Sequence, residues 1–207
     1  MAAPIATEAQ RLLQDLKERA LAAFCEHRVT QVGPGHWVFR RLGTGAFYVE
    51  VVALTGCGHL LVAGDIDTCA FSTFSRPREA TDEDLALAML RWIGGQTSPS
   101  GYVEEKARIG LTDRGQLAQV YESEVAREEI QGLLREEDDE DRRGVFAEAL
   151  HYTDERQPLL TFLYEATGDA ELVSDLGMVT SPRVIWAWAA VRQLMLALVE
   201  VEAEAGT

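Results

Sequence analysis

Basic residues are scarce in this chain: 19 Lys+Arg stand against 34 Asp+Glu in 207 residues, a net charge of −15. Binding a phosphate backbone needs clustered cations to displace counterions, so free nucleic acid is not an expected ligand. Close basic pairs are few, among them Arg40-Arg41, Arg76 with Arg78, and Arg142-Arg143. Cysteine is equally sparse. Cys25, Cys57 and Cys69 make an odd count, which fits reduced thiols in a cytoplasmic setting better than a secreted disulfide framework. Met1 to Glu8 lacks a basic segment followed by an apolar one, so no secretory signal is expected. Long hydrophobic runs are missing too. The most apolar segment, Val184 to Val199, is broken by Arg192 and Gln193 and falls short of the roughly 20 residues a bilayer span needs. It is expected to be a buried helix, with no membrane partner.

What remains is an ordinary globular composition, 47% hydrophobic and 26% charged, long enough for one sizeable core. Ala9, Leu12, Leu13, Leu16, Ala20, Ala23 and Phe24 recur at helical steps, with Thr7 as N-cap, and Gly33-Pro34-Gly35 stops regular structure. From His36 to Phe74 the period falls to two. Glycine breaks separate four runs at about 36–42, 46–54, 59–63 and 68–74, with Phe47, Val49 and Val51 on one face. Connections this short exclude helical crossovers, so an antiparallel meander is expected.

After Pro77 the pattern is helical: Thr81-Asp82-Glu83-Asp84 opens one helix through Trp92, and Tyr102 to Ile109 reads as a short one. Thr112 or Asp113 opens a long charged helix to about Arg135, followed by helices near 141–151, 155–166, 169–176 and 182–203. The expected fold is α+β: a four-stranded antiparallel sheet, an N-terminal helix and a largely helical C-terminal half. The organisation reads as an α+β core over 1–110 and an acidic helical region over 111–207 packed on the same core.

Three constellations carry candidate chemistry. Asp65-Ile66-Asp67-Thr68 follows an apolar run and resembles the first motif of haloacid-dehalogenase-like phosphatases. That resemblance implies metal-dependent phosphoryl transfer using Asp65 and Asp67. Thr68 stands one place too early and the preceding runs pattern as antiparallel, so a hairpin turn is the favoured reading. Cys57, His59 and Cys69, with His36 or Cys25, lack the paired spacing of structural zinc, and no metal or other cofactor is expected. No G-x-S-x-G segment supports a nucleophilic serine. Trp186 and Trp188 face different sides of a helix and suggest either core or a dimer interface, the mark of an assembly subunit.

The acidic residues are the remaining feature. Residues 106–207 hold 21 Asp+Glu against 10 Lys+Arg, including the run Glu136-Glu137-Asp138-Asp139-Glu140-Asp141. The bland reading is a solvated turn. The sharper one sets Glu122, Glu124, Glu128 and Glu129 with that run on one extended helical surface, resembling the charge spacing of a nucleic-acid backbone to a basic cleft.

Trp37-Val38-Phe39, Phe47 to Val51, Leu60 to Ile66, Phe71-Ser72, Met89 to Ile93 and Tyr102 to Ala107 resemble small proteins encoded by bacteriophages and prophages. The resemblance spans 37–111 and transfers no catalytic residue. It implies a phage-associated setting in which acidic proteins block host defence nucleases. The expected function is therefore a non-enzymatic acidic interaction module with a basic host protein as partner. The alternatives are the phosphoryl-transfer enzyme and a self-associating assembly subunit.

Overall fold

The computed structural model describes residues 7–43, 48–72, 80–109, 118–170 and 176–205, and contacts divide the chain into two compact units. A sheet-bearing unit comprises 15–118 and 180–207; a helical unit comprises 1–14 and 119–179. The chain is α+β, as its patterning predicts. The contacts group the terminal helix with the sheet, whereas the sequence boundary at 110/111 assigns it to the acidic region.

Helix α1 (Glu8–Phe24) begins where Thr7 and Gln10 bond reciprocally, each side chain accepting from the other's backbone N–H at 3.3 and 3.0 Å. Six strands follow in strictly sequential order: β1 (His27–Gly33), β2 (His36–Arg41), β3 (Val49–Leu54), β4 (His59–Gly64), β5 (Cys69–Phe71) and β6 (Ala107–Ile109). Every neighbouring pair is antiparallel. The sheet thus has six strands where four are read from the sequence. The additions are β1, whose polar pattern hides it, and β6, carved from the end of the expected 102–109 helix. Phe47 lies outside the described residues; Val49 and Val51 share the buried face as expected.

Register sorts the sheet into two faces. One carries Trp37, Phe39, Val49, Val51, Leu60, Val62, Cys69, Phe71 and Ile109, all buried. Helix α2 (Asp82–Gly94) starts at a capping box between Thr81 and Asp84 and buries Leu85, Met89, Leu90 and Ile93. Short α3 (Tyr102–Lys106) leads directly into β6. The last helix, α7 (Pro182–Ala205), buries Val184, Ile185, Ala187 to Val191 and Leu194. It is the one helix among the described residues long and apolar enough to cross a bilayer. Here it packs along α2 so closely that a Cβ on Gly94 would lie 3.0 Å from the Val191 carbonyl. Arg192 closes that contact, its Nη1 donating to the carbonyls of Gly94 (2.9 Å) and Gln96 (3.0 Å). Those carbonyls would otherwise end α2 unpaired.

The helical unit contains β7 (Gln119–Tyr121), α4 (Ser123–Glu136), α5 (Glu140–Ala149) and α6 (Arg156–Thr167). β8 (Met178–Thr180) pairs with β7 in a two-stranded sheet. The charged helix expected from Thr112 or Asp113 is shorter than read: its opening lies outside the described residues, but 119–121 are strand β7 and α4 starts only at Ser123. Most of the helix expected at 169–176 also lies outside the described residues. The core is Ala126, Ile130, Phe146, Ala149, Leu159, Leu163 and Leu176. The Tyr121 hydroxyl donates to the Thr153 carbonyl at 2.6 Å, tying β7 to the α5–α6 connection.

Candidate functional site: the acidic face of the helical unit

The helical unit holds 18 Asp+Glu and 6 Lys+Arg, so it carries −12 of the chain's −15. Its acids do not lie along one helix. α4 ends at Glu136, residues 137–139 form a link, and Glu140 and Asp141 occupy the first turn of α5. Ile130 and Ala126 turn inward, so Glu124 and Glu128, one helical turn apart, take the opposite side of α4.

Several of these carboxylates hold the fold. Glu129 accepts the Gly177 backbone N–H at 2.7 Å. Asp139 is the N-cap of α5, accepting from the Arg142 N–H at 2.9 Å. Glu137 accepts from the Asp139 N–H at 3.2 Å and pairs with the Arg142 guanidinium at 3.3 Å. Glu140 and Asp141 meet the positive end of the α5 dipole. Part of the run is therefore helix-start chemistry that composition alone conceals. Glu122, Glu124, Glu136, Asp138, Glu140 and Asp141 are exposed and form the outward acidic surface.

The sequence's other candidates are held elsewhere. Asp65 accepts the Tyr48 N–H at 2.8 Å. Asp67, at φ +74°, accepts the Thr68 N–H at 2.8 Å and pairs with Arg183 at 3.1 Å. Both carboxylates are committed to the turn after β4, beside an open cleft of about 320 Å³ shared with Arg183 and Trp186. Cys25 and Cys57 are exposed, and Cys69 is buried with its thiol pushed up to about 12 by desolvation. Among the described residues no three His, Cys, Asp or Glu side chains converge as metal ligands. Trp188 is core, whereas Trp186 is half-buried and packs edge-on to Phe24, with ring centroids 5.8 Å apart.

Two features escape sequence reasoning. A cleft of about 540 Å³ opens among Phe24, His27, Phe39, Gln193, Leu196 and Glu200. On the sheet, the Tyr48 hydroxyl donates to Glu50, whose other oxygen lies 4.0 Å from His36 Nε2. The bond to Glu50, and secondarily desolvation, raises the Tyr48 pKa above the ordinary tyrosine value. Period two places Tyr48 and Glu50 on one face, but only the register brings His36 to them.

No family model, curated protein or solved structure matches the chain.

Proposed function

We propose that this chain acts by binding rather than by catalysis, presenting the acidic face of α4 and α5 to a basic protein. The fitting partner is a nucleic-acid-binding host protein whose phosphate-binding cleft the carboxylates occupy, an inhibitor role of phage type. The observation that carries this reading is the concentration of −12 in the helical unit, with Glu122, Glu124, Glu136, Asp138, Glu140 and Asp141 all exposed across one helix–link–helix segment. Opposite charge steers such encounters and raises the association rate more than it slows dissociation.

The test is capture from a host lysate at low and moderate salt, then association kinetics with the captured protein. Changing Glu136, Asp138, Glu140 and Asp141 to Gln or Asn, while keeping Glu137 and Asp139 in their structural roles, should slow association about tenfold at ionic strength near 0.1 M. There charges interact over about 10 Å. The rate should also lose most of its salt dependence. Equal rates and equal salt slopes for wild type and variant would refute the reading.

A further inference from the structure

The second face of the six-stranded sheet differs in kind from the first. Its register rows are Arg28–Arg40, then Thr30–Val38–Glu50–Ala63, then His36–Val52–Leu61–Ala70–Arg108. Every one of these residues is at least partly exposed, and Val32 and Leu54 at the margins are 59% and 43% exposed. The centre carries the apolar strip Val38, Val52 and Leu61 with Glu50 beside it. The edges carry Arg28 and Arg40 on one side and Arg108, whose Nη1 donates to the Glu105 and Ala107 carbonyls, on the other. Arg28 and Arg40 stand directly opposite each other, a like-charge cross-strand pair that repels. Neither Arg28, Arg40 nor Arg108 has a carboxylate partner among the described residues, in a chain with nearly two acids per base. Glu50 is the acid in these register rows, and the Tyr48 hydroxyl already engages it.

We propose that this face docks the acidic helical unit of a second copy of the chain. Five strand spacings, about 24 Å, separate the strands of Arg28 and Arg108, whose rows also lie four residues apart along the strands, too far for one small anion to bridge. The 14 residues of α4 extend about 21 Å and continue into the acidic link and α5, a matching span. The apolar strip of Val38, Val52 and Leu61 suits a protein surface and disfavours a phosphate backbone. Repulsion between two molecules of charge −15 is screened beyond about 10 Å at 0.1 M salt, while contact pairs persist. The contact joins different surfaces on the two copies, so association proceeds head to tail and is open to chains longer than a dimer. It shares the acidic surface with the proposed function but needs no host protein.

Sedimentation velocity of the full chain across a concentration series tests it. Wild type should form species heavier than a monomer at about 0.1 M salt and lose them near 1 M, where the Debye length is about 3 Å. An Arg28→Glu, Arg40→Glu variant should be monomeric alone. So should one with Glu136, Asp138, Glu140 and Asp141 changed to Lys, and an equimolar mixture of the two should regain the heavier species. Circular dichroism checks that each variant is folded, and the regained mass cannot come from misfolding of either. A wild type that is monomeric at all concentrations, or a mixture that stays monomeric, overturns the proposal. So does binding of a DNA duplex that Arg28→Glu, Arg40→Glu abolishes, because the face would then be a nucleic-acid site.

Discussion

Cys69 sits on the buried face of β5, and its burial has a measurable pH consequence. An unfolded thiol ionises near 9, whereas desolvation holds the folded one near 12. Between those values the unfolded state has given up a proton that the folded state retains, so stability falls as pH rises. The contribution is complete below pH 9 and gone above about 12. Denaturant midpoints for wild type and Cys69→Ala should converge across that interval; parallel curves would exclude the thiol as the source. Gly64 gives a sharper contrast. Its φ is +134°, and a Cβ there would lie 2.1 Å from the Tyr48 carbonyl. Gly64→Ala should cost about 3 kcal/mol or more in chemical denaturation, since backbone strain and a clash with main chain act together. The Gly64-Asp65 turn is legible in the sequence, because turn preferences are local. That Asp65 is spent on Tyr48 is not legible, because that bond spans 17 positions.

The same division holds for whole elements. Strands β2, β3, β4 and β5 and helices α1, α2, α5, α6 and α7 follow from periodicity and caps. β1 is missed because HRVTQVG alternates weakly: its edge position leaves Arg28, Thr30 and Val32 exposed and only His27 buried. β6 is three residues long and pairs with a strand more than 30 positions earlier, so no local signal specifies it. In the candidate site the density of acids is readable, but the link that splits them is not, since six adjacent carboxylates mask which one caps. Capping and charge separate by mutation. Asp139→Ala should cost about 1 kcal/mol through the lost N-cap, whereas Asp138→Asn should change stability by no more than about 0.5 kcal/mol. Equal effects would mean that bulk charge, not the cap, governs α5. Gly132 in α4 and Gly144 in α5 have nothing within 4 Å of an added Cβ. Gly132→Ala and Gly144→Ala should each stabilise by about 0.5–1 kcal/mol, read as a rise in thermal midpoint. A fall would show that the glycines face a partner.

Charge is distributed very unevenly over the molecule. The sheet-bearing unit holds 16 Asp+Glu against 13 Lys+Arg, a net of −3, while the smaller helical unit bears −12. Like charges confined to one small unit oppose its compaction, and the opposition weakens as salt shortens the Debye length from about 10 Å at 0.1 M to about 3 Å at 1 M. The large sheet core has little net charge to screen. Hydrogen exchange of the full chain should therefore show salt strengthening protection selectively at amides of the helical core, such as Ile130, Phe146 and Leu163. Val51, Leu60 and Val62 in the sheet should change far less. A small dissolved ion set is the right comparison: sodium chloride and potassium chloride must act alike, because screening depends on ionic strength rather than ion identity. A uniform gain across both sets of amides would show that the two units open together and that the acidic surface is not a local strain on its own unit. A gain confined to the helical amides would tie the charge that the proposed function uses to a stability cost borne by α4, α5 and α6. Relieving that cost would then be part of what the proposed basic partner supplies on binding.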